Sequence, residues 1–175
     1  MRPFATSSRI ERMNDHYWLV CHTKPRCEKK FAALMAAEKF EHYLALVGSV
    51  RHYAQRTKKF TKPLFPGYVF AKVPVEHKTR IYQQDLLARA ITVTDETKFL
   101  RQLGDVKSIV ESGFEFSVMP LFTKGRHVKI IGGPLFGLEG FVDDPTNPQG
   151  VVISVDVLQQ GLRVKVPVEH LRVMS

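Results

Sequence analysis

The chain has 175 residues, an apolar fraction of 44% and a net charge of +9, enough for one large domain or two small ones. No apolar run approaches the ~20 residues needed to cross a bilayer, and the N-terminal residues lack the apolar stretch of a secretory signal. Cys21 and Cys27 suit reduced thiols in a cytoplasmic protein, with a disulfide as the alternative.

Charge is uneven along the chain. Residues 1–62 carry 13 Lys/Arg against 5 Asp/Glu, residues 63–119 carry 7 against 7, and residues 120–175 carry 6 against 5. A basic excess confined to one end favours contact with a polyanion, most simply nucleic acid, while a solvated basic face is the plainer explanation.

Residues 1–15 read as a flexible extension. Tyr17-Trp18-Leu19-Val20-Cys21-His22-Thr23 is rich in aromatic and aliphatic residues and predicts a strand. Lys24-Pro25-Arg26 breaks it, with Pro25 suited to open the helix that follows. Across residues 26–40, Phe31, Leu34 and Met35 recur at helical spacing and should face a sheet. Arg26, Lys29 and Lys30 should face water or a partner. Residues 42–50 predict a short strand bent at Gly48. The basic run Arg56-Thr57-Lys58-Lys59-Phe60-Thr61-Lys62 predicts a hairpin arm or loop.

The next stretch is the most informative: Lys62-Pro63-Leu64-Phe65-Pro66-Gly67-Tyr68-Val69-Phe70-Ala71-Lys72-Val73. Two prolines restrict the approach, Gly67 permits a tight turn, and an aromatic-rich strand follows. Alternation puts Tyr68 and Phe70 on one face and Val69 and Ala71 on the other. Such a strand is buried on both sides or offers one face to a partner. Residues 75–87 predict a weaker helix, Ala90-Ile91-Thr92-Val93-Thr94 a strand, and 96–111 a helix capped by Thr94 or Asp95. The stripe of that helix is Phe99, Leu100, Leu103, Val106, Ile109 and Val110.

Residues 112–120 show no period and read as a linker. The pattern then changes to period two, with strands expected at 126–131, 138–142, 151–158, 162–167 and 171–173. Glycine and proline clusters between them supply turns. Five short strands predict a small closed barrel. The expected class is α+β: an antiparallel sheet with flanking helices over 16–111, then a five-stranded barrel over 121–175.

Three segments in order resemble the NusG family of transcription elongation factors. Tyr17-Trp18-Leu19-Val20 with Thr23-Lys24-Pro25-Arg26 resembles the family's opening strand and turn, and Pro63-Leu64-Phe65-Pro66-Gly67-Tyr68-Val69-Phe70 resembles the centre of its N-terminal NGN domain. Gly125 to Ile130, through Gly133-Pro134-Leu135-Phe136-Gly137-Leu138-Glu139-Gly140, resembles the KOW motif of an SH3-like barrel. The resemblance implies an N-terminal domain on the clamp helices of bacterial RNA polymerase, bridging the DNA channel and suppressing pausing. By motif, Phe65, Tyr68 and Phe70 are the implied clamp-helix contacts, with Tyr17 completing the pocket. Lys78, Thr79 and Arg80 match positions that touch the opposite lobe. Lys24, Arg26, Lys29, Lys30, Arg56, Lys58, Lys59 and Lys62 fall where relatives face upstream or non-template DNA. Val157, Leu158 and Gln159 match the barrel loop that recruits Rho or the ribosomal protein NusE. Gln159 and Gln160 there depart from the aromatic, basic loop of housekeeping members. Pro-Leu-Phe-Pro also resembles specialised RfaH-like paralogues, whose C-terminal domain can become a helical hairpin. The β-branched alternation of 126–173 instead predicts a stable β domain and an unmasked N-terminal domain.

No paired carboxylates, phosphate loop or nucleophile elbow is present, and neither an enzyme nor a cofactor is expected. Cys21 and His22 are strand neighbours that point to opposite faces, against a metal site with Cys27. The expected protein is a monomeric cytoplasmic factor without membrane contact. A general RNA-binding or ribosome-associated KOW protein is the rival.

Overall fold

The computed structural model describes residues 16–121, 124–144 and 148–175, and the chain divides into two compact units. One comprises residues 16–46 and 65–94, the other 47–64 and 95–175. The extension read at 1–15 lies outside the described residues. The fold is mixed α/β with antiparallel sheets. The unit boundary differs from the expected division near residue 111, because the hairpin and the long helix group with the C-terminal sheet.

The chain begins with β1 (His16–Thr23), α1 (Glu28–Ala37) and β2 (His42–Tyr43). The hairpin β3 (Leu46–Tyr53) and β4 (Arg56–Pro63) follows, turning at Ala54 and Gln55. Then come β5 (Tyr68–Pro74), a 3-10 turn at Val75–His77, α2 (Lys78–Tyr82) and β6 (Leu87–Thr92). The first unit's sheet is ordered β2-β5-β1-β6. In the β1–β5 ladder Tyr17 opposes Val73, Leu19 opposes Ala71 and Cys21 opposes Val69, all on one face. That face meets Phe31 and Met35 of α1, Ile81 of α2, and Leu87 in a single buried core. Phe31 and Met35 are four apart, so one side of the helix supplies both.

Helix α1 is shorter than the expected 26–40. Pro25 sits second in a turn closed by Cys27 N–H donating to the Lys24 carbonyl (3.1 Å), and Arg26 takes φ +62. The proline therefore shapes a turn and the helix starts two residues past Arg26. At the far end Phe40 N–H reaches the Met35 carbonyl and Lys39 N–H the Ala36 carbonyl, with Lys39 at φ +59. This is a Schellman ending with lysine where glycine is usual.

The second unit holds the hairpin, α3 (Glu96–Glu111) and a six-stranded sheet. Its strands are β7 (Phe116–Pro120), β8 (Arg126–Ile130), β9 (Glu139–Val142), β10 (Val151–Val155), β11 (Gln160–Val164) and β12 (Leu171–Val173), ordered β12-β8-β9-β10-β11-β7. Two expectations change. Residues 116–120, read as linker, form a strand registered from Phe116↔Val164 to Pro120↔Gln160, which covers the outer edge of β11. The closed five-stranded barrel is instead a six-stranded sheet, and among the described residues β12 and β7 do not pair. Residues 126–173 form strands and 3-10 turns, with no α-helix among the described residues. In α3, Asp95 accepts from Lys98 N–H (3.1 Å) as the cap. Phe99, Leu103, Val106 and Ile109 are buried as the stripe predicts, but Leu100 is exposed and Gln102 is buried.

Gly140 allows β9 and β10 to approach closely. A Cβ there would lie 2.5 Å from the Val152 carbonyl oxygen and 2.7 Å from a Val151 methyl. Gly140→Ala should destabilise the protein by about 1–3 kcal/mol. A urea midpoint equal to wild type would show that these strands separate without penalty.

Candidate functional site

The double-proline corner is a hydrogen-bonded turn. Tyr68 N–H donates to the Phe65 carbonyl (3.1 Å), Pro66 sits second and Gly67 third with φ +86. Proline then glycine in those places is the type II pattern. The turn is fastened at both ends of Gly67. Its N–H donates to Glu28 Oε1 (2.9 Å), and its carbonyl accepts from Thr23 N–H (2.8 Å). Glu28 is 8% exposed, so its carboxylate is spent on this backbone contact. A Cβ at Gly67 would lie 3.0 Å from the His22 ring, which itself stacks on Tyr68 at 4.8 Å between centroids and 14° between planes. Glycine is required here by both backbone angle and space.

The four aromatic positions expected to form one pocket do not lie together. Tyr68 and Phe70 oppose His22 and Val20 on β1 and share the face away from α1. Tyr17 opposes Val73 on the α1 face, so the sheet separates it from Tyr68 and Phe70. The reason is odd spacing along β1, which sends Trp18 and Val20 to one side and Tyr17 and Leu19 to the other. Phe65 and Phe70 are each 1% exposed. Tyr68 is half-buried, and β6 extends its face with Ile91 opposite Val20 and Arg89 opposite His22. Ile91 is 42% exposed and Arg89 is exposed. The accessible surface past the corner is thus Tyr68, His22, Ile91 and Arg89. Only Tyr68 among them was named from sequence. Ile91 carried a signal in its β-branched run, but its place beside His22 and Tyr68 depends on long-range register.

Tyr17 belongs to a second cluster. Lys78 Nζ lies 5.4 Å from the Tyr17 ring centre and 5.9 Å from that of Tyr82, and donates to Thr92 Oγ1 (3.0 Å). A cation between two rings is held by their negative faces. Arg80 pairs with Glu38 (2.7 Å), and the Thr79 carbonyl caps α2 by accepting from Gln83 N–H. Lys78 and Arg80 therefore have local partners.

The cations fall into two sets. Lys24, Arg26, Lys29 and Lys30 are exposed on the Pro25 turn and the start of α1. Arg56, Lys58, Lys59 and Lys62 are exposed on β4, where alternation puts Arg56, Lys58 and Lys62 on one side and Lys59 on the other. Sequence reasoning did not single out Arg51, which lies across the hairpin with its guanidinium 4.9 Å from the Phe60 ring centre.

In the C-terminal sheet, Val157, Leu158 and Gln159 form the tip between β10 and β11. Leu158 is buried and Gln159 is exposed with φ +52. Helix α3 holds this tip: Asp156 N–H donates to Gln102 Oε1 (2.9 Å), and Lys98 pairs with the Asp156 carboxylate. A cavity of about 520 Å³ lies alongside, lined by Lys98, Arg101, Asp105, His127, Glu139 and Asp156 among others. Burial pushes the Asp105 carboxyl up to about 6, assisted by Glu139 and opposed by Arg101. Elsewhere, burial raises the Cys21 thiol to about 12, and both cysteines are free. Among the described residues no three His, Cys, Asp or Glu side chains gather as metal ligands. Among the described residues no helix is long and apolar enough to cross a membrane.

A family model described as "NusG: Transcription termination factor nusG" matches residues 16–124. Among solved structures, the crystal structure of the MjSpt4:Spt5 complex in conformation B aligns over 91% of this chain and 97% of that chain, at 19% identity and a TM-score of 0.31. No curated protein matches the chain.

Two predictions follow from these contacts. Glu28→Ala leaves the Gly67 N–H without its partner and should cost about 1–3 kcal/mol in chemical denaturation, while Glu28→Gln, which keeps an acceptor oxygen, should recover most of it. Equal losses in both variants would assign the effect to packing. Asp105 binds its proton more tightly folded than unfolded, so its contribution is full below about 3.8 and is lost as pH rises through about 6. Asp105→Asn should flatten stability across that window and exceed wild type above it; parallel pH profiles would contradict this.

Proposed function

The chain belongs to the NusG family of transcription factors, non-enzymatic elongation factors, and we propose that it binds the clamp helices of bacterial RNA polymerase through the face past the Pro66-Gly67 turn. The observation that supports this reading is the position of Tyr68. It is half-buried, stacked on His22, and carried by a turn fastened to Glu28 and Thr23. A rigid, partly exposed aromatic anchor beside an exposed Ile91 can bind an apolar helical tip with little ordering cost. Phe65, whose carbonyl closes the turn, and Phe70, two residues along the same face, then hold the strand that presents Tyr68. Tyr17, with Lys78, Thr79 and Arg80, forms a second contact toward the opposite lobe. Docking at both places would bridge the DNA channel and suppress pausing.

In the same reading, Lys24, Arg26, Lys29 and Lys30, together with Arg56, Lys58, Lys59 and Lys62, make salt-dependent phosphate contacts to upstream or non-template DNA. The C-terminal sheet acts as the KOW module. Its tip at Val157, Leu158 and Gln159 recruits NusE or Rho, and tethering raises that partner's local concentration at the polymerase.

Tyr68→Ala is the discriminating variant. Phe65→Ala would remove a fully buried ring and cost about 3–5 kcal/mol of stability, so lost binding would not be specific. Tyr68→Ala should weaken polymerase affinity by about 30-fold or more in a binding titration, with little change in melting. Wild-type affinity for this variant would remove the clamp-helix reading and favour a general RNA-binding protein.

A further inference from the structure

We propose that β7 is a detachable strap that gates the tip between β10 and β11. Docked on the edge of β11, it covers one flank of Gln159, and its local release opens that flank to a partner protein. This rests on the recruitment reading of the tip above, and goes beyond it in naming what controls access.

Backbone contacts hold the strap. Lys165 N–H donates to the Glu115 carbonyl and Leu121 N–H to the Gln159 carbonyl, each at 3.0 Å. The register between these bonds runs from Phe116↔Val164 to Pro120↔Gln160. Antiparallel alternation therefore turns the main-chain groups of Ser117 and Met119 toward Arg163 and Gly161, and those of Phe116 and Val118 away from β11. The last bond lands on the tip itself. Pro120 and Leu121 run beside Gln160 and Gln159, and Gln159 is the exposed residue of the tip. A docked strap thus occupies the β11 flank of the tip.

Side chains add little to that hold. Ser117, Val118 and Pro120 are exposed, and Phe116 and Met119 are half-buried, so no residue of β7 is fully buried. In β11, by contrast, Gly161, Leu162 and Val164 are buried. Lys165 pairs with Glu115 (2.9 Å), but both side chains are largely exposed and the pair contributes little. Arg163 pairs with Asp143 rather than with the strap. A five-residue strand that gives up few apolar contacts on leaving is a low-stability unit, able to open while the rest of the sheet stays folded. Strand β11 keeps its place without it, because β10 pairs along its whole length from Val151↔Val164 to Val155↔Gln160. The strap is also bounded by residues that suit a hinge. Gly113 takes φ +78 just past α3, and Pro120 ends the strand with no N–H to donate.

The test begins with amide hydrogen exchange, read by NMR on the full-length protein. Within β11 the Gly161 and Arg163 N–H groups face β7, whereas those of Leu162 and Val164 face β10. Gly161, Arg163, Ser117 and Met119 should exchange about 100-fold faster than Leu162 and Val164, through an opening nearly independent of urea. One shared, urea-dependent opening for all six amides overturns the strap. Variants then set its state. Ser117→Pro removes an N–H directed at β11 and should release the strap, and Val118→Pro, whose N–H points away, is the control. Ser117→Pro should melt close to Val118→Pro; a Ser117→Pro protein that fails to fold while Val118→Pro folds makes β7 integral to the sheet and overturns the strap. A disulfide between Pro120→Cys and Gln160→Cys, an opposed pair without ladder bonds, should lock it. Binding is titrated with purified NusE and with Rho. Ser117→Pro should bind about 5-fold tighter than Val118→Pro, and the oxidised lock about 5-fold weaker than its reduced form. Unequal amide exchange with unchanged affinities overturns the gate. Fast strap amides with no binding of either probe by any variant remove the recruitment reading, and the gate with it.

Discussion

The hydrogen bond from Gly67 to Glu28 is the contact on which the first unit's exposed face depends. A carboxylate at the first residue of α1 reaches 39 positions along the sequence to hold a backbone N–H at the start of β5. It thereby ties helix, turn and strand at one point. The Gly67 carbonyl is bound in turn by Thr23 at the end of β1. With both polar groups of Gly67 occupied by neighbouring elements, the turn cannot pivot without leaving a buried group unpaired. Tyr68 inherits that rigidity, and its stack with His22 follows from the direct opposition of the two strands.

A two-sided sheet explains why aromatic residues close in sequence take different roles. The α1 side consumes Leu19, Cys21, Val69, Ala71 and Val73 in a continuous core, and Tyr17 stands at its margin against Lys78. The other side buries Trp18, Val20 and Phe70 and leaves Tyr68, His22 and Ile91 reachable. Phe65 and Phe70 are each almost fully buried, whereas Tyr68 keeps part of its ring accessible. The ladder between β1 and β5 thus carries two distinct surface clusters, one on each side of a single sheet.

Much of this was legible in the sequence because it is local. The period of β1 and β5, the α3 cap at Asp95, the turn at Pro66 and Gly67 and the β preference of 126–173 each depend on residues within a few positions of one another. What was not legible depends on long-range pairing. Residues 116–120 have little pattern of their own and become a strand because β11 offers an open edge. Pro25 was expected to open the helix, and the hydrogen bond from Cys27 N–H to the Lys24 carbonyl places it in a turn instead. Nothing in the local sequence around Glu28 points to Gly67, 39 residues away. The separation of Tyr17 from Tyr68 follows from register, which a one-residue slip would have reversed.

The same long-range logic applies to the tip between β10 and β11. Gln102 interrupts the apolar stripe of α3 at a buried position, which in isolation is a defect in an amphipathic helix. Its carbonyl oxygen accepts from Asp156 N–H, and Lys98 one turn earlier pairs with the Asp156 side chain. The defect is therefore a polar latch placed where β10 leaves the sheet, immediately before Val157, Leu158 and Gln159. Leu158 is buried in this arrangement, and the exposed part of the tip is Gln159. A partner that needs Leu158 must compete with the latch, whereas one that reads only Gln159 can bind beside it. Loss of the latch would leave the buried Gln102 side chain without its partner, which costs about 1–3 kcal/mol, whereas the Lys98–Asp156 pair is part-exposed and contributes less. The tip is thus held in a defined shape by one hydrogen bond to the buried Gln102 and one part-exposed ion pair.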